Sequence, residues 1–288
     1  MSVNQVITAE LRRWILEQTQ AGHTQDQVLG AMLTSGWNDA IARQALDETL
    51  RQQASPQALA KDAGDGLPTP SKVPEPALEN SPPTLWAGDR HVNILLTLKH
   101  PRIVVFGGLL SDEECDQIVA LSTARLARSE TVATSSDGSE VNAARTSDGM
   151  FFERGETELI KRVEARLAHL LGWPVENGEG LQVLRYRPGA EYLPHYDYFD
   201  PTHASTPAIL KRGGQRVASL VMYLNTPQAG GATIFPDIRL DVSPIKGNAV
   251  FFSYDRPHPM TLSLHGGAPV GEGEKWVATK WLREGVFV

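Results

Sequence analysis

Apolar residues recur at helical spacing early in the chain and at strand spacing late in it. Leu11, Ile15 and Leu16 give one face to a helix from about Thr8 to Ala21. Thr24-Gln25-Asp26-Gln27 has capping-box form ahead of Val28, Leu29, Met32 and Leu33, and Gly36 stands where that helix should stop. Asn38 is placed to cap a third helix carrying Ile41, Ala45 and Leu46. Residues 1–53 are therefore expected to form a small helical module. From residue 54 to 84 the periodicity disappears. Pro56, Pro68, Pro70, Pro74, Pro76, Pro82 and Pro83 are mixed there with Ala, Ser, Gly and charged residues, which reads as a semi-extended linker.

The second domain is expected from 85 to 288. Ile103-Val104-Val105-Phe106 reads as a short strand, and Ser111 opens a helix through Ile118, Val119 and Leu121. Thr157 to Leu171 is a second helix, stopped by Gly172-Trp173-Pro174. Strand signals then follow closely. Leu181 to Tyr186 alternates, Val217 to Leu224 is an apolar run for a strand buried on both faces, and Ala232 to Phe235 ends at Pro236. Asn248 to Ser253 and Trp276 to Trp281 complete the series. Helices first and short strands with Gly/Pro turns afterwards predict a mainly β fold, a sandwich or jelly roll with flanking helices.

Composition narrows the possibilities modestly. Hydrophobic residues make up 41% of the 288, enough for a sizeable core, and the formal net charge of -7 disfavours a nucleic-acid partner. No run approaches the ~20 apolar residues of a membrane span, and Met1 to Arg13 lacks the apolar core of a secretory signal. Cys115 is the single cysteine, set among Asp112, Glu113, Glu114 and Asp116, and is expected to be a structural helix residue. A cytoplasmic location is the expectation, and oligomeric state is left open.

The candidate chemistry lies in the last third, in His195-Tyr196-Asp197. Alone, the pair means little, because 8 histidines and 34 acidic residues give about one His-x-acid pair by chance. In extended chain, however, His195 and Asp197 share a face and can chelate one ion. His265 follows downstream beside Gly266-Gly267. Two imidazoles and one carboxylate with open positions suit Fe(II) and O2 chemistry, whereas a closed zinc site would call on more cysteine. For His23, His91, His100, His169, His203 and His258 ordinary hydrogen-bonded or surface roles are expected. In Lys275-Trp276-Val277-Ala278-Thr279-Lys280-Trp281, alternation puts Lys275, Val277, Thr279 and Trp281 on one face and Lys280 on the other, solvated or paired. A buried lysine needs a compensating anion, which a dicarboxylate co-substrate would supply. Tyr186 could donate its hydroxyl to the same carboxylate. Core packing is the competing reading for Tyr186, Thr279 and Trp281.

With these residues goes a wider pattern: Leu181 to Tyr186, Pro188-Gly189, Tyr192, His195 to Phe199, Gly213-Gly214-Gln215-Arg216, Met222-Tyr223-Leu224-Asn225 and Gly230 to Pro236. The run from His265 through Pro269-Val270 and Gly273 to Lys275-Trp276 and Trp281 closes it. Together they resemble the prolyl 4-hydroxylase family of 2-oxoglutarate- and Fe(II)-dependent dioxygenases, in its soluble bacterial-type form. The likeness spans roughly Ile103 to Leu282, with Arg145-Thr146-Ser147 included and the metal-binding core at 180–285. It implies a double-stranded β-helix, or jelly-roll, core. It also implies His195, Asp197 and His265 as catalytic iron ligands, Lys275 on the distal carboxylate of 2-oxoglutarate with Tyr186 and Thr279 assisting, and Trp281 lining the pocket. Fe(II), 2-oxoglutarate, O2 and ascorbate as reductant are the implied cofactors. Ala190 replaces a glutamine frequent in the family, and Gly267-Ala268 replaces a common Gly-Cys; neither is a presumed ligand. The N-terminal module lies outside the likeness and resembles ubiquitin-associated helical bundles in size and rhythm.

Three functions are compatible with this pattern. The first is hydroxylation of prolyl residues in a peptide or protein, with release of succinate and CO2. The second is hydroxylation of a small molecule such as free proline. The third is an interaction protein that binds through its helical module. Asp200 to Gly214 is a candidate lid, and Arg145 and Arg216 are candidates for peptide contact or for ion pairs.

Overall fold

The structure, a computed structural model, describes residues 11, 14, 15, 18, 19, 24–35, 37–53, 67–128, 131, 132, 139, 140 and 146–288. The chain divides into two compact units, Met1–Leu67 and Pro68–Val288.

In the first unit, helix α1 (Gln25–Thr34) starts at Thr24. The Thr24 hydroxyl accepts from Gln27 N at 3.3 Å, and the Gln27 side chain accepts from Thr24 N at 2.8 Å, so the capping box forms. Helix α2 (Asp39–Gln53) follows, with Asp39 in its first turn, where the helix dipole favours a negative charge. Ile15, Val28, Met32, Ala42, Ala45 and Leu46 bury one another, with Trp14 and Trp37 against them. Leu11, Trp14, Ile15, Gln18 and Thr19 are helical. Leu16, Ala21, His23 and the expected stop at Gly36 lie outside the described residues, and the C-cap of α1 is Ser35.

The second unit begins with a proline-rich stretch. Residues 54–66 of the expected linker lie outside the described residues. Residues 68–83 run along the second unit, where Ser71 N donates to Asp255 O at 2.6 Å, Glu75 N donates to Leu171 O at 3.0 Å, and Val73 and Leu78 pack on the core. Strands β1 (Thr84–Trp86), β2 (His91–Leu98) and β3 (Arg102–Gly107) come next, then helix α3 (Asp112–Thr123). Strands β4 (Ala127–Arg128), β5 (Thr131–Val132), β6 (Ser139–Glu140) and β7 (Asp148–Phe152) precede helix α4 (Glu158–Leu171). After α4 come β8 (Leu181–Tyr186), β9 (Tyr192–His195), the short α5 (Thr206–Leu210) and β10 (Arg216–Tyr223). The chain closes with β11 (Ala229–Gly230), β12 (Thr233–Phe235), β13 (Leu240–Val242), β14 (Ala249–Ser253), β15 (His265–Gly267), β16 (Val270–Glu272) and β17 (Lys275–Arg283).

Nine strands form one antiparallel sheet in the order β1-β2-β3-β14-β10-β17-β8-β7-β4, and four form a second, β13-β12-β15-β9. Two apolar cores follow from period-two alternation. Val104, Phe106, Leu220, Met222 and Phe251 face α3 and α4, whose Ile118, Ile160, Val163 and Leu167 cover that side. Ile103, Val105, Leu184, Tyr223, Val250 and Phe252 face inward against Phe235 and Val242 of the smaller sheet. This is the expected jelly roll with flanking helices.

The helix boundaries agree with their caps. Ser111 forms a capping box with Glu114, and α4 runs from its N-cap Thr157 to a left-handed Gly172 at φ 57°. The long strands β8, β10 and β14 fall where the pattern puts them, and β17 extends past Trp281 to Arg283. The pattern does not predict β2, because Ile94-Leu95-Leu96 is apolar on both faces and Leu95 is exposed. Nor does it predict β9, β13, β15 or β16, which at three or four residues carry too few alternations.

Cys115 is fully buried in α3, and burial, helped by Asp112 and Asp116, pushes its thiol up to about 11, so it is inert as expected. Lys280 proves paired and buried rather than solvated: its Nζ donates to Glu164 Oε1 of α4 at 2.5 Å. Removing one partner strands the other charge in the core. Lys280→Met is therefore expected to lower the unfolding free energy by about 3–5 kcal/mol, and Lys280→Met combined with Glu164→Leu to recover most of it. Chemical denaturation of the three proteins checks both numbers.

Candidate active site

The site is assembled by strand register. β9 and β15 pair so that His195 lies opposite His265, with a register shift between His265 and Gly267. The two strands approach closely because Gly266 has no side chain; a Cβ there would lie 2.8 Å from Tyr192 O. β9 is the edge of its sheet, the kind of strand in which a proline such as Pro194 is tolerated. Asp197, two residues on, turns its carboxylate back between the rings, which are 4.4 Å apart. His195 Nε2 lies 3.4 Å from Asp197 Oδ1, and His265 Nε2 lies 3.4 Å from Oδ2. One ligand atom from each residue falls within 4.8 Å of the other two.

Electrostatics make this set a good metal cage. Each imidazole Nδ1 lies 2.9 Å from a backbone carbonyl, Leu193 O for His195 and Ser263 O for His265. With Nδ1–H donating there, each Nε2 turns its lone pair to the carboxylate, and such lone pairs facing an anion call for a cation. Burial pushes His265 down to about 4, against the pull of Asp197, so the ring is neutral at physiological pH. Burial alone would raise Asp197, but His265, His195 and Arg216 outweigh it and hold the carboxyl well below its usual range. Neutral nitrogen and ionised oxygen donors are what an Fe(II) site of this composition needs. Ser219 Oγ also donates to Asp197 Oδ2 at 2.5 Å, and Tyr192 stacks on the His195 ring at 3.7 Å.

Beside the triad is a narrow cavity of ≈ 50 Å³, lined also by Tyr186, Thr233, Gly267, Lys275, Thr279 and Trp281. A groove of ≈ 890 Å³ lies between the proline-rich stretch and β2, but it holds none of these groups, so chemistry rather than size locates the site. Lys275 opens β17 opposite Tyr186. It is 4% exposed, and its Nζ lies 5.6 Å from the Tyr186 ring centre and 5.9 Å from that of Tyr223. The other buried lysine and arginines among the described residues all have carboxylates: Arg166 has Asp89 and Glu114, Lys280 has Glu164, and Arg283 has Glu179. No described carboxylate pairs with Lys275, and burial lowers it to about 8. A buried cation facing a cavity without an anion is half of a carboxylate site.

Thr279 and Trp281 both line this cavity, as alternation along β17 requires. The indole Nε1 of Trp281 is a buried donor without a partner among the described residues, and the ring face lies 4.0 Å from the Arg216 guanidinium. Arg216 itself is an ion-pair residue: Nε and Nη2 donate to Glu179 at 2.7 and 2.9 Å, and Arg283 shares that glutamate at 2.7 Å. Arg145 lies outside the described residues. The candidate lid is tied at its base, because Gln215 accepts from Phe199 N and donates to Phe199 O, each at 2.8 Å. His91, His100 and His203 are exposed, and His258 caps a short 3-10 turn, as ordinary roles require.

The sequence pattern alone misses three residues at the site. Thr233, opposite Gly267 in register, accepts from Tyr223 OH at 2.9 Å and walls the cavity near Lys275. Ser219 and Tyr254 connect to Asp197. The available signal for Ser219 is a hydroxyl inside the otherwise apolar run from Val217 to Leu224, since a buried polar group needs a partner.

Jelly roll and donor set together define an oxygenase type of site, and residues 181–283 match the sequence model of the 2OG-Fe(II) oxygenase superfamily. Prolyl 4-hydroxylase 5 of Arabidopsis thaliana is 38% identical over 216 residues, covering 68% of this chain and 72% of that protein. Prolyl 4-hydroxylase 1 of the same plant is 38% identical over 228 residues, covering 69% and 77%. The crystal structure of a viral collagen prolyl hydroxylase from Paramecium Bursaria Chlorella virus-1, in complex with 2OG, aligns at a TM-score of 0.49 and 31% identity, covering 63% of this chain and 95% of that one. The chain belongs to the prolyl 4-hydroxylase family of 2-oxoglutarate- and Fe(II)-dependent dioxygenases.

The state of Lys275 gives a pH test. An anion is held by the protonated amine, which is lost as pH rises through about 8. Calorimetric titration of 2-oxoglutarate into anaerobic, metal-loaded protein is expected to show constant affinity below about pH 7 and a fall of about tenfold per pH unit above pH 8. Lys275→Met should weaken binding at every pH and remove that slope.

Proposed function

We propose that the protein hydroxylates prolyl residues in a peptide or protein, consuming 2-oxoglutarate and O2 and releasing succinate and CO2. The observation that carries the reading is one cavity in which His195, Asp197 and His265 converge beside the buried, carboxylate-free Lys275. The three residues would hold Fe(II), and the bound ion would supply the oxidising chemistry with O2 and 2-oxoglutarate. Lys275 would hold the distal carboxylate of the co-substrate, with the Tyr186 and Thr233 hydroxyls beside it. Thr279 lies between Lys275 and Trp281 on the same inner face and borders that space. The apolar inner wall of Leu184, Val221 and Val277 keeps water away from the reacting carbon. The loop from Asp200 to Gly214, whose flanking residues Phe199 and Gln215 are hydrogen-bonded to each other, would be the segment that covers substrate.

The prolyl substrate is supported by relatives that are themselves named prolyl 4-hydroxylases. A peptide rather than a nucleic acid fits the net charge of -7. No helix among the described residues is long and apolar enough to cross a membrane. The buried, inert Cys115 suits a cytoplasmic setting, with ascorbate as reductant. Membership in an enzyme family leaves the interaction-protein reading without support as a sole function.

Succinate formation with Fe(II), 2-oxoglutarate and ascorbate tests the proposal, run with proline-rich peptides and with free proline. Peptide turnover with one oxygen added at proline is expected, and turnover with free proline alone would replace it with the small-molecule reading. His195→Ala and Asp197→Ala should reduce turnover to background while near-native melting is retained. Activity surviving in either variant would sink the ligand assignment.

A further inference from the structure

We propose that Ser219 and Tyr254 are positioning residues for Asp197, their hydroxyls fixing one carboxylate oxygen so that the other is presented to the metal. The inference rests on Asp197 being a metal ligand, as argued above. Ser219 is fully buried in β10, on the inner face it shares with Val221 and Tyr223. A serine there is costly unless its hydroxyl is satisfied. Its Oγ lies 2.5 Å from Asp197 Oδ2 and 2.9 Å from Tyr254 OH.

The proton order along this chain is unambiguous. An ionised carboxylate only accepts, so the single Ser219 proton points to Oδ2, and Tyr254 must then donate to Ser219 Oγ. The hydrogen bond to Oδ2 is charge-assisted and short, which makes it the strong member of the pair. Each oxygen lies 3.4 Å from one imidazole Nε2, but Oδ1 receives no hydroxyl among the described residues, so it is the oxygen left for the ion.

Rigidity gives the arrangement its purpose. Asp197 sits just beyond the edge strand β9, where local backbone support is weakest. Ser219 lies in the middle of the large sheet, paired in register with Phe252 on one side and Trp281 on the other. Tyr254 follows β14 directly, and its N donates to Val217 O at 2.9 Å. The hydroxyl chain thus transfers the fixed geometry of β14 and β10 to a carboxylate at the rim of the smaller sheet.

Metal-free protein titrated with Co(II), followed by the d–d absorption of the bound ion, tests this without turnover. Ser219→Ala is expected to weaken Co(II) binding ~10–100-fold, the usual cost of losing a partner that orients a ligand, and to alter the d–d band. Tyr254→Phe, which keeps the ring and its packing, should weaken binding by less. The double variant should match Ser219→Ala alone, because Tyr254 acts only through Ser219. Ser219→Thr keeps the hydroxyl and should restore the parent band. A parent-like dissociation constant and spectrum in Ser219→Ala, or additive losses in the double variant, would overturn the positioning role. If the parent protein takes up no Co(II), the ligand assignment itself fails and this inference falls with it.

Discussion

Asp197 keeps a negative charge inside a barrel whose inner face is otherwise built from Leu184, Val221, Phe252 and Val277, and much of the molecule is arranged around that fact. Desolvation works against the charge. It is opposed by the Ser219 hydroxyl and by the positive field of Arg216. Neither imidazole donates to it, because each is committed through Nδ1 to a carbonyl, and Arg216 directs its Nε and Nη2 to Glu179, a carboxylate it shares with Arg283. The carboxylate is left facing two nitrogen lone pairs, an arrangement that a divalent ion would complete.

The same accounting separates structural from functional charges. Glu179 takes both Arg216 and Arg283, Glu164 takes Lys280, and Glu114 with Asp89 takes Arg166. These pairs tie α4 to α3, to the β1–β2 turn and to the large sheet, and each buried group has its partner within the fold. Lys275 does not. Its position at the start of β17, beside Tyr186, Tyr223 and Gly267 of β15, places a cation without a described carboxylate at one end of the cavity and the triad beside it. A co-substrate with a carboxylate at one end and metal-binding oxygens at the other matches both groups.

Much of this was readable in the residues themselves. Caps at Thr24, Ser111 and Thr157 and the stop at Gly172 located helices, because capping is a local interaction between neighbours in sequence. The long strands β8, β10 and β14 appear as alternating or continuous apolar runs. Of the smaller sheet only β12 is signalled, by the run from Ala232 to Pro236; β9, β13 and β15 are not, since three or four residues carry almost no period and owe their conformation to pairing. The spacing of His195 and Asp197 pointed to shared chelation, and alternation from Lys275 to Trp281 assigned the inner face correctly.

What the sequence by itself determined, then, are features carried by near neighbours: helix ends, long strands, and which side chains share a face. Only the tertiary structure decided which far-apart groups meet. The β9–β15 register sets His265 against His195 across seventy residues of chain, and no local preference encodes it. Thr233, Ser219 and Tyr254 joined the site by the same route, through strands that pair with others far away in sequence. The fate of each buried charge was settled there too. A lysine on a strand looks the same in sequence whether Glu164 awaits it, as for Lys280, or no described carboxylate does, as for Lys275, because a charge's partner is chosen by packing in three dimensions.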